Sequence, residues 1–198
     1  MALLIDIAGN HAPARRRGAW SLIAGVMLML LGILHAATSA IAVEDSPQIL
    51  EQRVKAAFLF KFGGYVEWPD SAFSSKDAPL VIGVAGNDLL AEELSQVVAG
   101  RTMNGRAVSI RRIRGDLPAS VHVLFVGRTE TGRLADLAAQ ARPILIVTDT
   151  EKGLAQGSII NFVVADNRVR FEVSLEAAKR SGLRIGAPLL SVAMRVQG

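Results

Sequence analysis

The chain has 198 residues, of which 51% are hydrophobic and 20% are charged, and this composition predicts one packed domain of ordinary size rather than a disordered chain. It contains no cysteine, which excludes a disulfide framework, a thiol nucleophile and an iron–sulfur site. The formal net charge of +4 comes partly from arginines near the N-terminus, so the rest of the chain is only mildly basic and nucleic acid is not a predicted partner.

The N-terminal segment is typical of a secretory signal. Arginines at positions 15–17 precede an apolar run over residues 19–34, and small residues follow, with cleavage sites after Ala40 or Ala42. We therefore predict a signal peptide over residues 1–42 and an exported domain over residues 43–198. An uncleaved membrane anchor is the alternative, although the strongly apolar part is short for a transmembrane helix. Apart from this segment, no membrane contact is predicted for the chain itself.

The exported domain is predicted to begin with a helix. Ser46 can cap it, and apolar residues recur at helical spacing over residues 48–62. Residues 65–69 are extended, because the proline that ends this segment disfavours helix at Trp68. Trp68 is predicted either to pack against the core or to form an exposed recognition patch.

Residues 80–147 alternate between apolar strands and amphipathic helices. This alternation favours parallel pairing of the strands in one sheet. The predicted strands cover residues 80–85, 106–114, 121–126 and 144–147, and the predicted helices cover residues 88–98 and 129–141.

The last third of the chain adds a hairpin and a capped helix. Strands are predicted over residues 158–164 and 168–173, joined by an Asp-Asn turn, and Ser174 can cap a helix that ends at Gly182. The whole pattern predicts the α/β class: a single-domain mixed β-sheet of five to six strands flanked by helices.

Few residues offer reaction chemistry. Residues 127–134 follow an apolar strand and open a helix, as a phosphate-binding loop does. However, Arg133 replaces the lysine that would reach the phosphates and Leu134 replaces the hydroxyl that would hold Mg²⁺, so nucleotide hydrolysis is not predicted. His122 lies in an apolar strand, where a hydrogen-bonded core histidine is the usual case. An enzyme would need His122 and Asp149 to meet in one cleft, and we predict no enzyme, no cofactor and no metal site.

A small-ligand sensor is the alternative function that the residues leave open. Gly86, Gly127 and Asp149 each follow a predicted strand. Ligands bind at the carboxyl ends of parallel strands in open α/β sheets, so these residues predict a crevice there.

Several motifs occur in an order that resembles the YfiR family of exported bacterial proteins, over about residues 50–196. They are VKAAFLFKF at 54–62, YVEWP at 65–69, HVLFV at 122–126, ILIVTD at 144–149, GSIINF at 157–162 and VRFEV at 169–173. The resemblance implies a periplasmic α/β protein without catalytic activity. It also implies binding to the periplasmic sensor region of an inner-membrane diguanylate cyclase, which represses the cyclase and lowers cyclic di-GMP.

The resemblance does not identify the partner or the releasing signal. It also does not decide whether the protein forms a homodimer. Better-known members carry cysteines that form disulfides, and the absence of cysteine here removes redox control of that kind. We place the partner-binding surface on the exposed side of the terminal hairpin and helix, around Phe162, Glu172 and Leu183, with Trp68 as a second patch. Glu172 is expected to point away from the core because it alternates with two apolar neighbours.

Overall fold

The computed structural model describes residues 46–140 and 142–198. The predicted signal peptide lies outside the described residues. Within them, no helix is long and apolar enough to cross a membrane. The α-helices are α1 Pro47–Gly64, α2 Asp88–Val98, α3 Leu134–Ala139, α4 Leu175–Arg180 and α5 Ala187–Leu190, and two 3₁₀ helices cover Asp70–Ala72 and Arg128–Arg133.

Ten short strands accompany these helices. They are β1 Val66–Glu67, β2 Leu80–Ala85, β3 Thr102–Met103, β4 Arg106–Ile113, β5 Val123–Val126, β6 Leu145–Thr148, β7 Ile160–Ala165, β8 Arg168–Ser174, β9 Arg184–Ile185 and β10 Arg195–Gln197. Eight of them form one mixed sheet in the order β3-β4-β2-β5-β6-β7-β8-β10, while β1 and β9 form a separate antiparallel pair.

The sheet is parallel from β4 through β2, β5 and β6 to β7, and β8 returns antiparallel to β7. The α/β class and the mixed sheet are thus confirmed. The predicted count of five to six strands is wrong, because the sheet also includes β3 and β10. These strands have two and three residues, too few to show the alternation that identifies a strand in a sequence.

The central strands are buried on both faces because helices cover both. Leu80, Ile82 and Val84 of β2 belong to the core cluster that includes residues of α1 and α2. Val81 and Ala85 belong to the other cluster, which α3 closes. This double burial explains why the strands are continuous apolar runs rather than alternating ones.

Helix α3 is shorter than the predicted helix over residues 129–141. The first part of that segment forms the 3₁₀ helix Arg128–Arg133, and only the six residues of α3 are α-helical. The segment starts at Gly127, which has no side chain that could cap a first α-turn.

Four phenylalanine rings join α1 to the β7–β8 hairpin. We call Phe58, Phe62, Phe162 and Phe171 the phenylalanine cluster. The ring of Phe62 lies 5.0 Å from that of Phe171 and 5.6 Å from that of Phe162, centroid to centroid. Offset and edge-to-face contacts at these distances add to the burial of the rings, so the cluster fixes α1 on the sheet.

Candidate functional site

A groove with a volume of about 850 Å³ lies beside Trp68. We call it the Trp68 groove. Its walls come from the end of α1, the segment before β2, and strands β3 and β4. The lining includes Tyr65, Trp68, Phe73, Met103 and Arg106.

Stacked side chains form one wall of this groove. The guanidinium carbon of Arg106 lies 3.8 Å from the centroid of the Phe73 ring, and the His122 ring stacks on Phe73 with a centroid distance of 4.3 Å. Trp68 meets both rings edge-on and donates its indole N–H to the carbonyl of Gly63 at 3.2 Å. Trp68 is therefore half-buried, with its orientation fixed by these contacts.

Two side chains anchor the loop between Trp68 and β2. Arg106 donates hydrogen bonds to the carbonyls of Ser75 and Ala78, at 3.0 and 2.7 Å. The His122 ring accepts the N–H of Val81 at Nδ1 (3.1 Å) and pairs through Nε2 with the carbonyl of Ala72 (3.0 Å). Because a carbonyl only accepts, Nε2 carries the proton. These hydrogen bonds therefore fix the conformation of the loop that forms this wall of the Trp68 groove.

A second depression lies at the carboxyl ends of the parallel strands, and we call it the strand-end crevice. It comprises cavities of about 340 and 250 Å³, and Arg128 and Asp149 line both of them. Strand β2 lies between β4 and β5, so the chain order reverses beside it. That position is where open α/β sheets bind ligands.

A buried ion pair lies under this crevice. The Lys55 ammonium of α1 lies 2.7 Å from Oδ2 of Asp149 and 2.6 Å from Oε1 of Glu51. The Lys55 side chain is 2% exposed and that of Asp149 is 9% exposed. Such a pair is stable only when each charge keeps its partner, because an unpaired charge at this depth is costly.

Asn161 of β7 organises the loop that follows Asp149. Its Oδ1 accepts hydrogen bonds from the Thr148 hydroxyl at 2.8 Å and from the N–H of Thr150 at 3.1 Å. Gly153 packs so closely that an added Cβ would lie 2.1 Å from the Thr148 hydroxyl and 2.6 Å from the Asn161 oxygen. The loop therefore holds Asp149 and Thr150 in place at the crevice.

Comparison with known families agrees with the motifs found in the sequence. Residues 52–194 match the model of the YfiR/HmsC-like family, which covers more than half of the chain. The chain belongs to the YfiR/HmsC-like family. The resemblance drawn from the sequence motifs is confirmed, and the family is regulatory rather than catalytic.

The YfiR/HmsC-like domain buries two of the residues that we expected on its surface. Phe162 is 3% exposed and Leu183 is 2% exposed, because Phe162 belongs to the phenylalanine cluster and Leu183 packs into the same core. The expectation that they form an exposed docking surface is wrong. Trp68 is half-buried and reaches the Trp68 groove, so its role in partner binding stays a prediction.

Glu172 is also covered, although it points away from the phenylalanine cluster. It is 8% exposed because β10 lies beside β8 and places Arg195 opposite it. The Arg195 guanidinium lies 2.9 Å from Oε1 of Glu172. The expectation that Glu172 is exposed is wrong. Its burial could not be foreseen because the sequence contains no signal for β10, the strand that covers it.

His122 is the hydrogen-bonded core histidine that its apolar surroundings predict. It precedes β5, whereas Asp149 follows β6, and these neighbouring strands run parallel. The two residues therefore lie at opposite ends of the sheet, and the catalytic pair that the sequence allowed is not formed. No group of three or more metal-ligating side chains occurs in residues 46–140 and 142–198.

Sequence reasoning missed Lys55 and Arg106. Lys55 occupies the buried stripe of α1 together with Leu59 and Phe62, and a charged residue at such a position is a detectable signal of a buried ion pair. No sequence signal marks Arg106, because its partners are backbone carbonyls of a distant loop.

We expect the domain to lose stability on acidification through His122. Burial, helped by the charge of Arg106, holds the pKa of His122 below its ordinary value of 6.5. Below pH 6.5 the unfolded chain therefore binds a proton that the folded chain refuses, so the free energy of unfolding falls as the pH drops through this window. Urea unfolding between pH 7.5 and pH 5 should show this loss, with a slope of at most about 1.4 kcal/mol per pH unit for one proton.

The matched variant for this measurement is His122→Gln, whose amide can accept from Val81 and donate to Ala72 without titrating. Its stability should depend less on pH over the same window. An equal pH dependence in both proteins would assign the effect to other groups.

Proposed function

We propose that this protein is a periplasmic regulator that represses a membrane-bound diguanylate cyclase by binding its periplasmic region, which lowers cyclic di-GMP. Membership of the YfiR/HmsC-like family over residues 52–194 is the observation that carries the proposal. The predicted signal peptide supports a periplasmic address. Repression by binding needs a complementary surface and no reacting groups, which agrees with the separation of His122 from Asp149.

The Trp68 groove is the surface that we propose for this partner. Its aromatic lining is rigid, because hydrogen bonds hold Trp68 and the loop wall. Tyr65, at the end of α1, is 43% exposed and lines the same groove. Rigid aromatic residues around a concave pocket are the kind of side chain that dominates the energy of protein–protein binding.

Repression also sets an energetic requirement. A regulator that favours the inactive cyclase must bind that state more tightly than the active state. Changing the population from mostly active to mostly inactive requires a difference of roughly 5 kcal/mol between the two affinities. Loss of one aromatic anchor, which typically costs about 2 kcal/mol or more at an interface hot spot, should therefore release much of the repression.

We expect deletion of the gene to raise cyclic di-GMP only in cells that keep the cyclase. Complementation with Tyr65→Ser or Trp68→Ala should fail to restore the low level, whereas Leu50→Ser should restore it. Leu50 is a suitable control because it is 54% exposed at the opposite end of α1. The amount of each variant in the periplasm and its thermal unfolding should be measured in parallel.

A pull-down from membranes with the wild-type protein should recover a diguanylate cyclase, and Tyr65→Ser should recover less of it. If cyclic di-GMP is unchanged in the deletion strain, the regulatory proposal is wrong. If both groove variants repress normally, the partner binds elsewhere on the domain.

A further inference from the structure

The strand-end crevice contains two buried polar atoms that lack a hydrogen-bond partner. They are Oδ1 of Asp149 and the hydroxyl oxygen of Thr150. Buried polar atoms in folded proteins are nearly always hydrogen-bonded, so such exceptions require an explanation. A carboxylate oxygen only accepts hydrogen bonds, so the missing partner of Asp149 is a donor.

The charges around Asp149 favour a cationic donor. Lys55 lies between Asp149 and Glu51, so these three side chains together carry one net negative charge. Glu151 adds another acidic group to the lining of the smaller cavity. A cation that reaches Oδ1 would balance this charge, whereas an anion would be repelled.

Arg128 forms a long ion pair with Oδ1 but no hydrogen bond to it. Its Nε lies 4.0 Å from Oδ1 and donates instead to the main-chain carbonyl of Asp149 at 3.2 Å. The Arg128 side chain is 75% exposed, so few contacts fix its position and solvent screens its charge. Because Arg128 lines both cavities of the crevice, rotation of its side chain away from Asp149 would open a path to Oδ1.

We propose that the strand-end crevice binds a small ligand through a primary ammonium group, which donates to Oδ1 of Asp149 and displaces Arg128. The crevice has the position of a ligand site in an open α/β sheet, an acceptor without a hydrogen-bond donor, and a negative charge that the exposed Arg128 balances only from 4.0 Å. Simple amines and zwitterionic amino compounds share the chemistry of this group. The inference does not depend on repression of a cyclase, because it concerns a different face of the domain.

The test is a titration of the ¹⁵N-labelled mature chain with ethylamine hydrochloride, followed by NMR. We expect saturable shifts of the backbone amides of Gly127, Asp149 and Thr150. Tetramethylammonium chloride at the same ionic strength is the control, because it carries the charge but has no N–H donor, and it should shift none of them. Glycine, tested in a third titration, distinguishes a zwitterionic ligand from a simple amine.

Two variants should change the affinity for ethylamine in opposite directions. Asp149→Asn removes the charge that attracts the ammonium group and should raise the Kd at least about tenfold, the usual scale for losing a charged partner. Arg128→Ala removes the competing cation and should lower the Kd severalfold. Arg180→Ala is the matched control, since it removes the same charge from an exposed position of α4 and should leave the Kd unchanged.

Equal shifts with ethylamine and tetramethylammonium would overturn the proposal, because they would show screening of surface charge rather than a site. The absence of saturable binding in both the wild type and Arg128→Ala would overturn it as well, and would assign the free oxygen of Asp149 to bound water. If Asp149→Asn does not fold, the contrast between Arg128→Ala and Arg180→Ala still decides the question.

Discussion

Replacement of Lys55 by methionine should lower the free energy of unfolding by about 3–5 kcal/mol. Methionine keeps the volume of the side chain but removes its charge, so Asp149, which is nine-tenths buried, loses its cation at 2.7 Å and keeps only the exposed Arg128 at 4.0 Å. Removing one partner of a buried ion pair is costly for this reason, whereas losing the same charge at the surface is not. Urea or thermal unfolding of the purified domain measures the difference.

Lys61→Met is the matched control for this prediction. Lys61 lies on the same helix and is exposed, so its replacement should change the stability by no more than about 0.5 kcal/mol. A loss as small as this for Lys55→Met would show that water reaches Asp149 and that the ion pair is not buried in solution.

Replacement of Phe62 by alanine should be as damaging, with a loss of about 3–5 kcal/mol. Phe62 is fully buried and contacts three other rings of the phenylalanine cluster, at centroid distances of 5.0 to 5.8 Å. Its removal leaves a cavity between α1 and the β7–β8 hairpin, and the cost of such a cavity adds to the lost burial of the ring. For a domain of this size each kcal/mol corresponds to about 2–4 °C in the melting temperature.

Phe60→Ala provides the comparison within the same helix. Phe60 is partly buried and packs at the margin of the core, under the guanidinium of Arg101 at 5.7 Å. Its loss should destabilise the domain clearly less than that of Phe62. Similar losses for both variants would mean that the aromatic cluster has no special part in holding α1.

The long apolar elements were predictable because burial leaves a periodic pattern. Strand β2 and helix α2 have the predicted bounds, 80–85 and 88–98. Gly86 turns the chain between them with a φ of +72°, a conformation that glycine adopts without strain. At such places the local sequence and the tertiary structure favour the same conformation.

The surface of the domain was not predictable in the same way. Phe162 and Glu172 lie in well-predicted strands, and Leu183 directly follows the predicted capped helix. Their burial nevertheless depends on α1 and on β10, which come from other parts of the chain. Lys55 shows the converse, since its position on the buried stripe of α1 was visible but its partner Asp149 was 94 residues away. Pairings of this range leave no trace in a single sequence.

The long stretch of chain between α1 and the residues that cover it also affects the order in which the chain folds. Helix α1 is synthesised early, but the residues that bury it, Asp149 and the rings of β7 and β8, are synthesised much later. Contacts between distant residues form slowly, because the loop between them must first be closed. Until then the apolar stripe of α1 is exposed on the growing chain, so this helix is the segment on which we expect a holding chaperone to bind.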